Sequence, residues 1–283
     1  MADIFSEAKI DTHCHILDPA RFAYAPDVAY RPQGQEVGDQ DSLEAVMASY
    51  GVRHALLVGP NSGYNLDNRC MLHAIAAGAG RFKGIAVVPT DVHIDTLRHL
   101  KSRGVVGVAM NVALNGLDYY STGLPALLSK LQALDLWAQF QVEADQLLEL
   151  LPYLENTAAK LLFDHCGRPV TTKGIEQPGF QALLALGRER RAVVKLSGEV
   201  KFSDQHFPFA DARPYWDALL RDFGLEQCIW ASDWPYLKAP FRLDYGPMLK
   251  RWESYLSADE RQRVLWDNPC RLFGFGKAGA SEP

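Results

Sequence analysis

The sequence predicts an α/β protein built as a (β/α)8 barrel, and three observations carry that expectation. Short apolar runs of strand length recur eight times, the last at Cys228–Asp233. Segments with helical spacing separate them, so strand and helix alternate. Polar residues gather at the C-terminal ends of the first, fourth, fifth, sixth and eighth runs. Nearly continuous apolar strands are buried on both faces, and regular alternation with helices implies parallel pairing through right-handed crossovers. An open doubly wound sheet shares the local pattern, but only a closed barrel brings those strand ends together around one axis.

The first run, Ala8–Ile10, leads into Asp11-Thr12-His13-Cys14-His15. Strand side chains alternate, so His13 and His15 share a face, where two imidazoles can grip a metal ion or polarise a carbonyl. Residues 17–40 follow with Phe22, Tyr24, Tyr30, Pro19, Pro26 and Pro32 but no periodicity. Loops of that length are typically lids or binding loops, and the position just after the histidine pair predicts a cover for the site. Asp41–Tyr50 has helical spacing at Leu43, Val46 and Met47, and Ala55–Val58 is the second strand, stopped by Gly59-Pro60-Asn61. The pairing of helix and strand then repeats over 65–77 and 82–88, 94–103 and 105–112, 124–134 and 137–142, and 144–159 and 160–165. It finishes with 180–190 and 192–196, then 215–223 and 228–233. Beyond the eighth strand, 245–255 carries an apolar stripe, and Ser257-Ala258-Asp259-Glu260 has the capping-box form that starts a last helix through Trp266. Arg271–Gly274 should pack after it, and Lys277–Pro283 should fray. No repeat or linker divides the chain beyond this alternation, so a single domain over residues 1–283 is expected.

A chain of 283 residues with 48% hydrophobic and 22% charged residues can bury a large core. A net charge of -5 without a run of Lys or Arg gives no reason to expect nucleic acid or a membrane surface as partner, which leaves small-molecule chemistry. No apolar stretch is long enough to span a bilayer, and Met1–Phe5 has neither a basic nor a long apolar segment, so a cytoplasmic protein is expected. A homo-oligomer stays open. Cys14, Cys70, Cys166, Cys228 and Cys270 are odd in number and form no Cys-x-x-Cys pair, which argues against a disulfide framework and a zinc knuckle. Exposure and thiol pKa decide whether any of them is a nucleophile.

The residues at the proposed strand ends are His13, His15, Asn61, Asn111, Gln139, Gln141, Asp164, His165, Arg168, Lys195, Ser197 and Asp233. Barrels of this kind place their chemistry at that face. Asn111 and Gln141 taken singly read equally as satisfied core or capping residues. Asp233 closes an otherwise apolar strand, an unfavourable place for a carboxylate unless a partner or solvent meets it. Three histidines and an aspartate on one axis suit hydrolysis. The imidazoles, with or without a metal, stabilise charge on a carbonyl oxygen, and the carboxylate takes a proton from water.

Asp11-x-His13-x-His15, Asp164-His165-Cys166-Gly167-Arg168-Pro169 and Ser232-Asp233-Trp234-Pro235, in this order and spacing, resemble the amidohydrolase superfamily. Within its amidohydrolase-2 branch the chain is most similar to the group containing 2-pyrone-4,6-dicarboxylate lactonase and sugar lactonases. Asn268-Pro269-Cys270-Arg271-Leu272-Phe273 is similar to that branch's C-terminal helix, so the resemblance spans nearly the whole chain. It implies a hydrolase in which Asp233 activates water and His13, His15 and His165 surround the carbonyl of a small carboxylated lactone. A sugar lactonase, a zinc-dependent decarboxylase or amidohydrolase, and a non-catalytic metabolite-binding barrel are the alternatives. Asn61, Asn111, Gln141, Arg168, Ser197 and Tyr64 are the expected substrate contacts, and Tyr24, Tyr30 and Trp234 are further candidates for apolar walls.

Many members of the superfamily hold zinc through the first-strand histidines, the eighth-strand aspartate and a ligand from the fourth or fifth strand. Here those two strands offer Asn111, Gln139 and Gln141, poor zinc ligands beside imidazole or carboxylate. A metal-free site without cofactor is therefore expected, with His13, His15 and Asp233 as the ligands for Zn2+ or another divalent cation if one is bound. Members acting on a dicarboxylate lactone resemble Gly-Val-Arg-Phe-Asn at the fourth strand. This chain reads Gly107-Val108-Ala109-Met110-Asn111, keeping the asparagine and losing the arginine. Arg168, Lys195, Lys201, Arg21 and Arg31 remain to meet an anion, and a neutral or mono-anionic lactone becomes the expectation.

Overall fold

Runs such as Val52–Val58 and Ala192–Leu196, dominated by β-branched and aliphatic residues, suit strands covered on both faces. In the computed structural model, which describes residues 3–276, eight of them form one sheet. They are β1 (Lys9–Cys14), β2 (Val52–Val58), β3 (Phe82–Ala86), β4 (Val105–Asn111), β5 (Trp137–Gln141), β6 (Lys160–Phe163), β7 (Ala192–Leu196) and β8 (Cys228–Trp230). Each pairs in parallel with the next in sequence. Helices 40–49, 69–77, 94–102, 124–133, 146–154, 178–188 and 213–223 fill the seven connections. The eight expected strands and their parallel order are thus present. Lys277–Pro283, expected to fray, lie outside the described residues.

The seam between β1 and β8 closes at its C-terminal end. Asp233 N donates to His13 O at 2.8 Å, His15 N to Trp234 O at 2.8 Å, and Thr12 Oγ1 to Trp230 O at 2.6 Å. These bonds complete the (β/α)8 barrel. Inside it, Ile10, Leu56, Ile85, Leu162, Val193 and Ile229 pack together, and Trp266, Phe273 and Phe275 join them from the C-terminal segment. That segment starts as expected, with Glu260 Oε2 accepting from Ser257 N at 2.8 Å in a capping box, and then passes through a π-helical turn, Arg263–Asp267, into a helix over Asn268–Phe273.

Three strands end two or three residues before their apolar runs do, each for a physical reason. β3 stops at Ala86 because the Asn68 side chain pairs with both Val87 N and Val87 O. β6 stops at Phe163 because His165, Cys166, Gly167 and Arg168 all have positive φ, a turn that strands cannot hold. β8 stops at Trp230 because Asp11 Oδ1 takes the Ser232 N–H at 3.0 Å and Asp233 itself has φ 63°. Each of the last two breaks re-aims a polar side chain towards the barrel axis. None of the helices among the described residues is long and apolar enough to cross a membrane.

Candidate active site

The histidine pair sits where β1 is irregular. From Asp11 to Cys14 the strand takes three steps while β2 takes two, Ala55 to Leu57. The extra residue is a bulge, a device that turns side chains. Ile10 therefore lies in the lower interior, while His13 and His15 line the cavity above it. Asp11 fastens the bulge: its Oδ1 accepts from His13 N at 3.2 Å and from Ser232 N, and its Oδ2 accepts from Tyr245 OH at 2.9 Å. The short motif and the end of β8 thus share one buried carboxylate.

Each imidazole is held through Nδ1 and turns Nε2 inward. His15 Nδ1 lies 2.8 Å from Val58 O, and His165 Nδ1 lies 3.0 Å from Ser197 Oγ. His13 Nδ1 lies 3.1 Å from Asp164 Oδ1 and 3.2 Å from Lys195 Nζ. The three Nε2 atoms converge on Asp233 Oδ1, at 3.7 Å from His13, 3.6 Å from His15 and 3.6 Å from His165. All four residues are buried.

A second polar layer supports this one. Lys195 Nζ donates to Gln139 Oε1 at 2.8 Å and reaches Asp164 Oδ1 at 3.0 Å, with His13 Nδ1 at 3.2 Å beside them. Gln139 Nε2 donates to Asp164 Oδ2 at 2.8 Å. A buried charge pair survives only with such completeness, because desolvation of both ions is unfavourable.

Burial, followed by the nearby Lys195 charge, lowers His13 to about 4. Burial likewise holds His165 well below its ordinary value. For Asp164 and Asp233, burial opposes ionisation but is outweighed by neighbouring charge, Lys195 first in one case and Lys201 in the other, and both carboxyls are held low. Near neutral pH, neutral His13 and His165 therefore face ionised Asp233. Burial raises the thiols of Cys14, Cys70, Cys166 and Cys228, which makes them poor nucleophiles.

Above these groups opens a cavity of about 460 Å³, within the ordinary range for a small-molecule site. His13, His15, His165 and Asp233 line it, together with Asn61, Asn111, Gln141 and Arg168. Apolar surface comes from Val58, Pro60, Ala109, Met110, Leu114, Val200 and Leu237. Other sequence-predicted residues lie elsewhere. Tyr64 is buried behind the wall, its hydroxyl accepting from Asp18 N at 3.0 Å and its ring against Tyr24 at 5.4 Å. Ser197 lies beneath His165 rather than on the cavity. Trp234 packs on Gly38, where a Cβ would meet the indole at 2.1 Å.

The expected cover, residues 17–40, supplies no lining side chain among the described residues. It braces the walls from outside: Gly63 N donates to Tyr30 O at 2.9 Å, and Glu36 Oε1 accepts from Lys238 N at 2.6 Å. Its aromatic residues have neighbours of their own in this outer layer, which is why the loop lies back from the opening.

Sequence reasoning offers Lys195 and Lys201 only as anion contacts. Lys195 is instead below the floor, and Lys201 Nζ stands 2.9 Å from Asp233 Oδ2. Lys201 belongs to a short turn after β7, where no periodic signal marks it. Glu143, which reaches Arg168 at 2.8 Å, is equally unmarked. Lys195 stands among the strand-end residues of the sequence reading as a charged residue closing an otherwise apolar run, but its place beneath the floor has no signal there.

The donor set can be tested against a divalent cation. His13, His165 and Asp233 offer ligand atoms within 4.8 Å of one another, a tighter group than the expected His13, His15 and Asp233. Ligand atoms of a tetrahedral zinc site lie about 3.3 Å apart. Carboxylate, hydroxyl and carbonyl partners on the Nδ1 atoms also match the usual support of metal-bound imidazoles. These residues fit such an ion.

The chain is similar to several known proteins. It is 28% identical over 277 residues to a 4-sulfomuconolactone hydrolase of Hydrogenophaga intermedia, covering 95% of this chain and 90% of the relative. It is 24% identical to a 2-pyrone-4,6-dicarboxylate hydrolase of Comamonas testosteroni, covering 93% and 89%. A crystal structure from Acinetobacter baumannii, described as a probable 2-pyrone-4,6-dicarboxylic acid hydrolase with citric acid bound, superposes with a TM-score of 0.81 at 28% identity, covering 94% of this chain and 99% of that one. The family profile described as "Amidohydrolase" matches residues 10–275, almost the full barrel, and the chain belongs to that amidohydrolase family.

Proposed function

We propose that this protein is a lactonase, adding water across the ring ester of a small carboxylated lactone. The observation that carries the reading is the convergence of three imidazole Nε2 atoms on Asp233 Oδ1 at the floor of the cavity. The relatives named for lactone hydrolysis support it.

The hydrogen-bond partners give the imidazoles different duties. Val58 O can only accept, so His15 carries a proton on Nδ1, and the tautomer with that single proton presents a lone pair on Nε2. Ser197 Oγ can donate to Nδ1 of His165, which leaves an N–H on its Nε2, and His13, whose Nδ1 lies between Asp164 Oδ1 and Lys195 Nζ, presents an Nε2 N–H in the tautomer that accepts from Lys195. Water then sits with one proton towards Asp233 and one towards His15. Asp233 takes a proton as the water oxygen bonds to the carbonyl carbon, and His13 and His165 meet the charge forming on the carbonyl oxygen. Collapse breaks the ring C–O bond, and the proton on Asp233 passes to the departing oxygen, giving the ring-opened acid. A placed base contributes about 10²–10⁴ in rate and each oxyanion donor about 10²–10³. Asn61, Asn111, Gln141 and Arg168 hold the remainder of the substrate.

His13, His165 and Asp233, with His15 beside them, would hold a divalent ion, which supplies Lewis acidity there when bound. The proposed reaction is metal-independent. Lys201 already places a positive charge on Asp233, Gln139 is engaged by Asp164 and Lys195, and Asn111 Oδ1 accepts from Leu114 N at 3.0 Å. The test is a screen of lactones for proton release on ring opening, with metal content measured on protein purified without chelator. Ring opening that survives chelation is expected. Activity confined to amides or to decarboxylation would overturn the reaction class, and stoichiometric zinc whose removal abolishes turnover would overturn metal independence.

A further inference from the structure

Cations and carboxylates line the cavity in equal number: Arg168, Lys201 and Lys238 against Glu143, Asp164 and Asp233. Most are already matched. Arg168 Nη2 lies 2.8 Å from Glu143 Oε2, and Lys201 Nζ lies 2.9 Å from Asp233 Oδ2. Asp164 is held from below by Lys195 at 3.0 Å. Lys238, exposed at the rim with its ammonium 4.9 Å from the centre of the Tyr30 ring, has no carboxylate in ion-pair reach among the described residues.

Arg168 is the guanidinium of the cavity wall, the group best suited to grip a carboxylate by two parallel hydrogen bonds. Glu143, projecting from the segment after β5, meets it first. Arg168 Nε is buried without a hydrogen-bond partner, so a substrate carboxylate brought to Arg168 would compete with Glu143 at Nη2 and lie beside its negative charge. Ala109 and Met110 on the wall add no cation.

We infer that Glu143 is a specificity-determining residue: by setting its negative charge against Arg168, it restricts the site to lactones with no more than one anionic group, met by Lys238 at the rim. The inference rests on the lactonase reading for its reaction, but charge selection can also be read from binding alone. A lactone dianion such as 2-pyrone-4,6-dicarboxylate is then a poor ligand, although that compound is named for one relative.

The experiment compares 2-pyrone-4,6-dicarboxylate with the corresponding 2-pyrone monocarboxylate on wild type, Glu143→Gln and the double variant Glu143→Gln/Arg168→Met. Ratios of kcat/KM within one preparation are independent of the fraction folded. The wild-type ratio should favour the monocarboxylate. Freeing a guanidinium for a charged hydrogen bond should raise the dicarboxylate ratio about 10–100-fold in Glu143→Gln, and the double variant should lose that gain. A wild-type preference for the dicarboxylate, or an unchanged ratio in Glu143→Gln, overturns the inference. If neither compound is turned over, the lactonase reading fails for both, and the same ratio taken from calorimetric dissociation constants decides the charge selection: a shift towards the dicarboxylate in Glu143→Gln sustains it, and no shift overturns it.

Discussion

The lower and upper halves of the barrel interior are built on the same strands yet carry opposite chemistry. Leu162, Val193 and Ile229 belong to the apolar lower cluster, whereas Asp164, just past the end of β6, and Lys195 on β7, each two residues beyond Leu162 and Val193, are charged. On β5, Trp137 below gives way to Gln139 above. Two residues along a strand amount to about 6.6 Å, so the character of the interior inverts within one layer of side chains. In the lower layer the aliphatic side chains need no partner, and each buried one contributes about 1.5–3 kcal/mol through removal from water. In the upper layer each polar group is held by another, and the energy of that arrangement goes into fixing charge and orientation rather than into stability.

The two halves should therefore respond differently to substitution. After Asp233 itself, the largest effect is expected at His165. His165→Ala removes an Nε2 donor and should lower kcat by about 10²–10³ with little change in KM, as steady-state kinetics on a responsive lactone would reveal. A change confined to KM would mean that His165 only binds substrate. Leu162→Ala, at a fully buried position below, should do the reverse. It should destabilise the fold by about 2–5 kcal/mol in urea unfolding while leaving kcat per folded molecule intact. A large loss of kcat there would break the division into floor and site.

A smaller effect tests the charge on Asp233. The carboxyl is held low largely by Lys201, against the effect of burial. In the proposed reaction activity requires the ionised form, so it is lost as pH falls through the Asp233 pKa. Lys201→Met removes the stabilising cation and raises that pKa, and the acid limb of the kcat/KM profile should move to higher pH. A limb that stays in place would assign it to another group.

The lower half of the molecule was the more legible in sequence. Eight apolar runs in strict alternation with helices dictate parallel pairing, and Ser257 with Glu260 marks the start of the last helices. Binary pattern carries such information because burial is periodic. The upper half was legible only where residues stand next to one another in the chain, as with His13 and His15, or at the end of an apolar run, as with His165 and Asp233. What brings them to one point is not periodic. The β1 bulge, the left-handed turn at 165–168 and the positive φ of Asp233 are local departures set by tertiary bonds such as those to Asp11. Lys201 and Glu143 come from irregular segments whose partners lie on other strands, so their pairing with Asp233 and Arg168 has no trace in spacing. Residues 17–40 show the converse: length and composition suggest a cover, but Tyr24, Tyr30 and Glu36 find partners in the outer wall.

The most direct measurement is turnover and thermal unfolding of Asp233→Asn on the same preparation. The change keeps shape and removes the proposed base. The account predicts that kcat on a responsive lactone falls about 10²–10⁴, while the melting temperature is unchanged or rises because a buried carboxylate has gone. Undiminished lactone turnover by that variant would contradict it.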